Sequence, residues 1–245
     1  MKILLTNDDG IESPGLRSLE EALREHELCV VAPDGERSGS SHRITLKAPV
    51  KFAEAGPGRY ACSGTPADCV LYSVHGAIDF SPDVVVSGIN IGPNLGTDLI
   101  YSGTAAAARQ AAFMGIPGIA VSQLLKENRI DYSAAAAFIA DTIEKLVKVW
   151  DEDHFININV PYPDQDLLEY EITYPSRRIY HDTVESYTAP DGHTYHFLNG
   201  TFPDAEPVQG SDWDAVKRNR ISVSPIYLHP VPEYDMVKFG ERLRQ

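Results

Sequence analysis

An apolar run, Ile3 to Leu5, breaks at once into Asn7, Asp8, Asp9 and Gly10. That is the pattern of a strand buried on both faces and ending in a polar turn. Ser13 and Pro14 then start a helix, with serine at the capping position and proline in the first turn. Leu16, Leu19 and Leu23, set among charged residues, carry it as an amphipathic helix to about His26. Leu28 to Ala32 is a second apolar strand, stopped by Pro33. A strand, a helix and a strand in about thirty residues make a right-handed βαβ unit, which requires a parallel sheet. In open parallel sheets ligands bind outside the carboxyl ends of the strands. Asp8 and Asp9 therefore stand at the edge where such folds do chemistry.

The alternation continues along the chain. Ile44 to Ala53 is expected as an extended segment, paired as a hairpin with Tyr60 to Ser63. Thr65 caps a helix that begins at Pro66 and runs to about Ala77. Val84 to Ser87 is a short buried strand. Gly88 to Gly96 follows, with three glycines, two asparagines and a proline, and is expected as an irregular turn in which the backbone bends sharply or approaches something closely. Ser102, Gly103 and Thr104 lead into a helix over Ala105 to Phe113. A strand over Gly118 to Ser122, a long helix over Tyr132 to Trp150 and a strand over Phe155 to Val160 complete the alternating part.

Past Pro161 the texture changes. Residues 174–210 are rich in Tyr, Pro, His, Asp and Gly, with extended pieces such as Thr194 to Leu198. An aromatic arm without a core of its own needs a partner surface. Asp212 to Arg218 reads as a helical turn, Ile221 to Ile226 as a returning strand and Tyr234 to Arg244 as a final helix. The expected division is a Rossmann-like catalytic core over 1–160, then a β arm, returning strand and terminal helix over 161–245 used in oligomerisation.

Composition narrows the function classes. Of 245 residues, 21 are Lys or Arg and 35 are Asp or Glu, a net charge of −14. Such a chain repels polyanions, which argues against polymeric nucleic acid as a partner. A small anion held by local donors or by a metal is compatible with it. Cys29, Cys62 and Cys69 have neither zinc-site nor disulfide-framework spacing. The N-terminus has no apolar leader, and no apolar run reaches the ~20 residues that span a bilayer. The expectation is a soluble cytoplasmic protein.

The loops at the strand ends bring together oxygen donors: the carboxylates of Asp8 and Asp9, the Ser38 hydroxyl, and the amides of Asn90 and Asn94. Hard donors of this kind favour Mg²⁺ or Mn²⁺, with Ca²⁺ possible, over Zn²⁺. A metal with few protein ligands keeps positions open for water and substrate and draws a phosphate to an acidic protein. Ser102, Gly103 and Thr104 open a helix, where backbone amides meet anions; ordinary capping by Ser102 or Thr104 is the plainer reading. Asp-Asp-Gly is also a good turn sequence, in which Asn7 or Asp8 closes an Asx-turn. His42, in the Ser38 loop, is either a donor to the site or solvated. Arg37 and Arg43 either meet phosphate or pair with carboxylates. There is no second aspartate two residues after Asp8, no phosphate-binding P-loop and no dinucleotide fingerprint, so neither an aspartyl-phosphate intermediate, ATP hydrolysis nor NAD chemistry is supported. The set reads as phosphoryl hydrolysis.

Five motifs together resemble the SurE family, the survival-protein-E nucleotide phosphatases. They are Ile-Leu-Leu-Thr-Asn-Asp-Asp-Gly-Ile at Ile3 to Ile11, Val-Val-Ala-Pro-Asp-x-Glu-Arg-Ser at Val30 to Ser38, and Gly-Thr-Pro-Ala-Asp-Cys-Val at Gly64 to Val70. Val-Ser-Gly-Ile-Asn-x-Gly-Pro-Asn-Leu-Gly at Val86 to Gly96 and Tyr-Ser-Gly-Thr at Tyr101 to Thr104 follow in order. Asn157 to Pro161 and Ile221 to Ile226 extend the similarity. The resemblance implies a Rossmann-like three-layer α/β fold with a mostly parallel sheet, a C-terminal β arm and an exchanged C-terminal segment. It implies a nucleotidase that hydrolyses nucleoside 5′- and often 3′-monophosphates with one divalent metal held by Asp8, Asp9, Ser38 and Asn90. It implies that Asn94, Ser102, Gly103 and Thr104 bind phosphate and that the chain forms a homodimer or homotetramer. The rival expectations are a broad acid phosphatase or exopolyphosphatase using the same site, and a nucleotide-binding protein without catalysis.

Overall fold

The structure is a computed structural model that describes residues 1–164, 169–201, 203–206, 208–229, 240–242 and 244. The elements run in chain order as β1 (Lys2–Thr6), α1 (Pro14–Ala22), β2 (Glu27–Pro33), β3 (Phe52–Gly56), β4 (Arg59–Cys62), α2 (Pro66–Tyr72), β5 (Val84–Ile91), α3 (Gly103–Phe113), β6 (Gly118–Gln123), α4 (Ser133–Val149) and β7 (His154–Val160). They continue as β8 (Tyr170–Ile172), β9 (Arg178–Ile179), β10 (Thr183–Thr188), β11 (Thr194–Asn199), β12 (Asp204–Ala205), α5 (Asp212–Lys217) and β13 (Ile221–Tyr227). The final helix expected over 234–244 lies outside the described residues at 234–239 and 243.

One nine-stranded sheet carries the fold, in the order β3-β4-β2-β1-β5-β6-β7-β13-β8. Its centre, β2-β1-β5-β6-β7, is wholly parallel. The side-chain alternation of β1 divides the core. Ile3 and Leu5 face α1 and α4, while Leu4 faces the other way, with Val85 and the small residues Ala107 and Ala111 of α3. Helices thus cover both faces of a mostly parallel sheet, the α/β layering that the sequence predicts. The return strand β13 runs antiparallel to β7, from Ser222 opposite Asn159 to Tyr227 opposite His154. Hairpin β10–β11 stands apart from the main sheet, and every one of its strand residues is exposed. Among the described residues no helix is long and apolar enough to cross a membrane.

Local signals place the helix starts. Ser13 Oγ accepts from the Leu16 amide, and Thr65 with Asp68 forms a reciprocal capping box. Two expectations need correction. The strand over 84–87 does not end at Gly88. It runs on to Ile91, interrupted by a bulge between Ser87 and Asn90, after which pairing resumes at Asn90–Ser122 and Ile91–Gln123. Gly88 permits this with φ +142° and no side chain; a Cβ there would lie 2.4 Å from the Val121 carbonyl oxygen. Nor is 44–51 extended pairing. The hairpin begins only at Phe52, and Thr45 is instead tied by its amide and hydroxyl to the Asp68 carboxylate, both at 2.7 Å.

Candidate metal and phosphate site

The turn after β1 is closed by Asn7. Its Nδ2 donates to the Gly10 carbonyl (3.0 Å) and to Ser13 Oγ (2.6 Å), and its Oδ1 accepts from the Gly10 amide (3.1 Å). The Asx-turn therefore belongs to Asn7, and the two aspartates are left for other work.

Asp8 is buried against the opening of α3. Thr104 Oγ1 donates to its Oδ1 at 2.6 Å, and the amides of Gly103 and Thr104 face the carboxylate. Burial raises its pKa, and these donors pull it part of the way back. The approach is possible because residue 103 is glycine. A Cβ there would sit 2.8 Å from Asp8 Cβ and 3.0 Å from Ser40 Oγ. From the β2 loop, the Arg37 amide donates to the Asp8 carbonyl at 2.7 Å, which draws that loop over the aspartates.

Asp9 is the strained partner. Burial, then the charge of Asp8, then that of Glu36 push it up to about 7; only the Ile91 amide opposes them. Its Oδ2 is buried and has no hydrogen-bond partner among the described residues. Such an orphaned acceptor is costly unless something outside the chain's own groups meets it. Ile91 follows Asn90, so Asp9 lies against the end of β5. Asn90 turns its Nδ2 back to the Ile91 and Gly92 carbonyls at 3.2 and 2.9 Å, which leaves Oδ1 as its uncommitted oxygen. Ser38 Oγ is hydrogen-bonded to Glu36 Oε1 at 3.0 Å. Glu36 and Ser40, whose buried Oγ has no partner among the described residues, belong to this corner and are not singled out in the sequence reading. Their place in the Ser38 loop is the only signal that marks them.

A divalent cation fits this corner. It would meet an orphaned carboxylate oxygen, offset two adjacent negative charges and find only hard oxygen donors. Among the described residues no three His, Cys, Asp or Glu cluster as metal ligands; a cradle of two carboxylates, a hydroxyl and an amide needs no such cluster.

The residues assigned to phosphate are already engaged. Ser102 Oγ caps α3 by accepting from the Ala105 amide at 3.0 Å, the plainer of its two readings. Thr104 serves Asp8. Asn94 is held one strand further over. Its Nδ2 donates to Ser122 Oγ (2.9 Å), its amide donates to Asn159 Oδ1 (2.8 Å), and its carbonyl accepts from Asn157 and Asn159, both at 2.9 Å. Arg37 pairs with Asp34 at 2.7 Å. His42 meets Gln110 Oε1 through Nε2 at 3.0 Å and packs beside Phe113, so it serves the outer flank of α3.

The family model described as "Survival protein SurE" matches residues 3–182. The chain belongs to the SurE family. A "5′-nucleotidase SurE" of Geotalea uraniireducens is 43% identical over 235 residues, with 93% of each chain covered. Another "5′-nucleotidase SurE", from Kosmotoga olearia, is 42% identical over 250 residues, covering 99% of this chain and 98% of its own. The crystal structure of the SurE protein from Aquifex aeolicus matches this fold with a TM-score of 0.83 at 34% identity over the whole of both chains. The SurE match spans every residue of the corner around Asp8, Asp9, Ser38 and Asn90 and the opening of α3.

Proposed function

We infer that this SurE chain is a nucleotidase that hydrolyses the phosphomonoester of nucleoside 5′-monophosphates, and of 3′-monophosphates, to nucleoside and phosphate. The observation that carries the reading is the half-buried Asp9 carboxylate beside Asp8, whose buried Oδ2 has no hydrogen-bond partner among the described residues. The relatives named 5′-nucleotidase SurE support the substrate class.

In this reading Asp8, Asp9, Ser38 and Asn90 hold one divalent cation, Mg²⁺ or Mn²⁺, which when bound polarises a phosphoryl oxygen and lowers the pKa of a water. Hydrolysis breaks the ester P–O bond, forms a P–O bond to water and returns a proton to the leaving alkoxide. Thr104 fixes the rotamer of Asp8, so that one of its oxygens stays committed. One of the two aspartates, Asp8 or Asp9, takes the proton of the attacking water. In this reading Ser102, Gly103 and Thr104 at the opening of α3 flank the bound phosphate beside Asp8, and Asn94 borders the same edge.

The exposed β10–β11 hairpin, with Val184, Tyr187, Phe197 and Leu198 open to solvent, supports assembly of residues 161–245 into a homodimer or homotetramer. The test of the function is phosphate release from AMP with Mg²⁺ or Mn²⁺, with chelator, and in Asp8→Asn and Asp9→Asn. Activity that survives both substitutions at full rate would end the scheme.

A further inference from the structure

Each side chain assigned to the cation has a neighbour, not itself a ligand, that holds it. Thr104 Oγ1 donates to Asp8 Oδ1 at 2.6 Å, and the Ile91 amide faces Asp9. Asn90 gives its Nδ2 to the Ile91 and Gly92 carbonyls at 3.2 and 2.9 Å, which keeps Oδ1 free. Ser38 poses a different problem. Its Oγ carries a hydrogen, and that hydrogen must point away from a cation if a lone pair is to meet it. The Glu36 carboxylate takes the hydrogen: Ser38 Oγ donates to Glu36 Oε1 at 3.0 Å.

Glu36 is kept available for this. The cation next to it in sequence, Arg37, is spent elsewhere. Its Nη2 donates to Asp34 Oδ1 at 2.7 Å and its Nη1 to the Glu36 carbonyl at 3.1 Å. Among the described residues the Glu36 carboxylate enters no ion pair, and Ser38 is its hydrogen-bond partner. The backbone on which both stand is fixed. The Arg37 amide donates to the Asp8 carbonyl at 2.7 Å, the Ser40 amide to the Arg37 carbonyl at 3.2 Å, and the Ser41 amide to the Tyr101 carbonyl at 3.0 Å. The charge of Glu36 is felt at Asp9, so the carboxylate faces the corner. Glu36 and Ser38 are both exposed, and a hydrogen bond between two exposed side chains adds little to stability. Its consequence is the orientation of the Ser38 hydroxyl.

We propose that Glu36 is a positioning residue for the cation: it accepts the Ser38 hydrogen and so holds a lone pair of Oγ toward the metal. The proposal rests on the metal-site reading. A charged acceptor draws the hydrogen strongly, fixes one rotamer of the serine and leaves its oxygen a better donor to the metal. Glu36 acts through Ser38, and what it must supply is an acceptor atom at the right reach.

The test follows Mn²⁺ binding to the full chain without nucleotide, by the electron paramagnetic resonance signal of the free ion, so no catalysis enters the readout. Glu36→Ala is expected to raise Kd about tenfold, the lower end of the range for partners that orient metal ligands. Glu36→Gln keeps a carbonyl oxygen at the same reach and should stay within about threefold of the unaltered protein. Glu36→Asp keeps the charge but withdraws the oxygens by one methylene, and should follow Glu36→Ala. In a Ser38→Ala background, Glu36→Ala should change Kd by less than about twofold, because the residue it acts through is gone. Melting temperatures in chelator, expected to be unchanged, check that the variants fold; if Glu36→Ala does not, the comparison of Gln with Asp decides. Three outcomes overturn the proposal alone. They are an unchanged Kd in Glu36→Ala, an equal loss with and without Ser38, and a Gln variant weaker than the Asp variant, which would make Glu36 a ligand or a bare charge. Absence of Mn²⁺ binding by the unaltered protein overturns the metal-site reading, and the role of Glu36 with it.

Discussion

Two carboxylates are drawn into the same edge of the sheet and end in opposite conditions. Asp212, fully buried at the start of α5, is satisfied completely. Its Oδ2 accepts from the Gly96 amide at 2.7 Å, and its Oδ1 accepts from the amides of Ser176 and Trp213 at 2.9 and 2.7 Å. Asp9, at the end of β1, has one oxygen without a partner among the described residues and lies beside Asp8 and Glu36. Burial alone therefore does not mark a functional carboxylate here. Asp212 ties the loop after β5 to a segment more than a hundred residues away. Asp9 is held in a place the other described residues do not complete, which is where binding and catalysis are found.

Substitution separates the two roles. Asp9→Asn is expected to lower metal-dependent AMP hydrolysis on the order of a thousandfold, the scale of a lost contribution of several kcal/mol to the transition state. With chelator present its melting temperature should hold or rise, because a costly buried charge is gone. Asp212→Ala should do the reverse in stability. It strands three amides that now donate to a buried carboxylate, a loss of about 3 kcal/mol or more measured by denaturant unfolding. If Asp9→Asn proves the more destabilising of the two in chelator, the contrast drawn between satisfied and unsatisfied carboxylates is wrong.

The same contrast has a pH signature. Folded Asp9 keeps its proton up to about 7, against 3.8 for an ordinary aspartate, so in that interval the folded chain binds more protons than the unfolded one. Stability in chelator should therefore fall as pH rises from about 4 to about 7 and then level off. Asp9→Asn should flatten that slope. Melting temperatures of both proteins at pH 5 and pH 8 measure it, and parallel curves would show that Asp9 is not its source.

Much of the corner around Asp8 and Asp9 is legible in the sequence because strand ends in a parallel sheet converge. Asp8, Asp9, Ser38 and Asn90 each follow an apolar run, and chain order alone brings their loops to one edge. What the sequence hides is which polar group answers which. Asn157 and Asn159 show as asparagines in an apolar strand, but nothing local says that both clasp the backbone of Asn94, more than sixty residues earlier. Gly88 reads as the end of a strand, since glycine in an apolar run signals a turn as readily as a bulge; pairing with β6 decides between them. For Ser102 and Thr104 local chemistry permits either capping or anion contact. Ser102 caps the helix, and Thr104 reaches a carboxylate 96 residues away in sequence.

That last contact is the smallest test of how far the two aspartates differ. Thr104→Val keeps the shape of the side chain and removes the donor to Asp8 Oδ1, which leaves Asp8 closer to the condition of Asp9. Hydrogen bonds to charged groups are worth about 1.5–3 kcal/mol, and the remaining amides of Gly103 and Thr104 recover part of the loss. Unfolding should show a loss near the lower end of that range, and AMP hydrolysis should fall about tenfold as the Asp8 carboxylate gains freedom to rotate. Thr104→Ser, which restores the hydroxyl, should return most of both. If the serine variant behaves like the valine variant, the methyl group of Thr104 and its packing under α3 matter more than the bond to Asp8, and the order imposed on Asp8 comes from the helix amides alone.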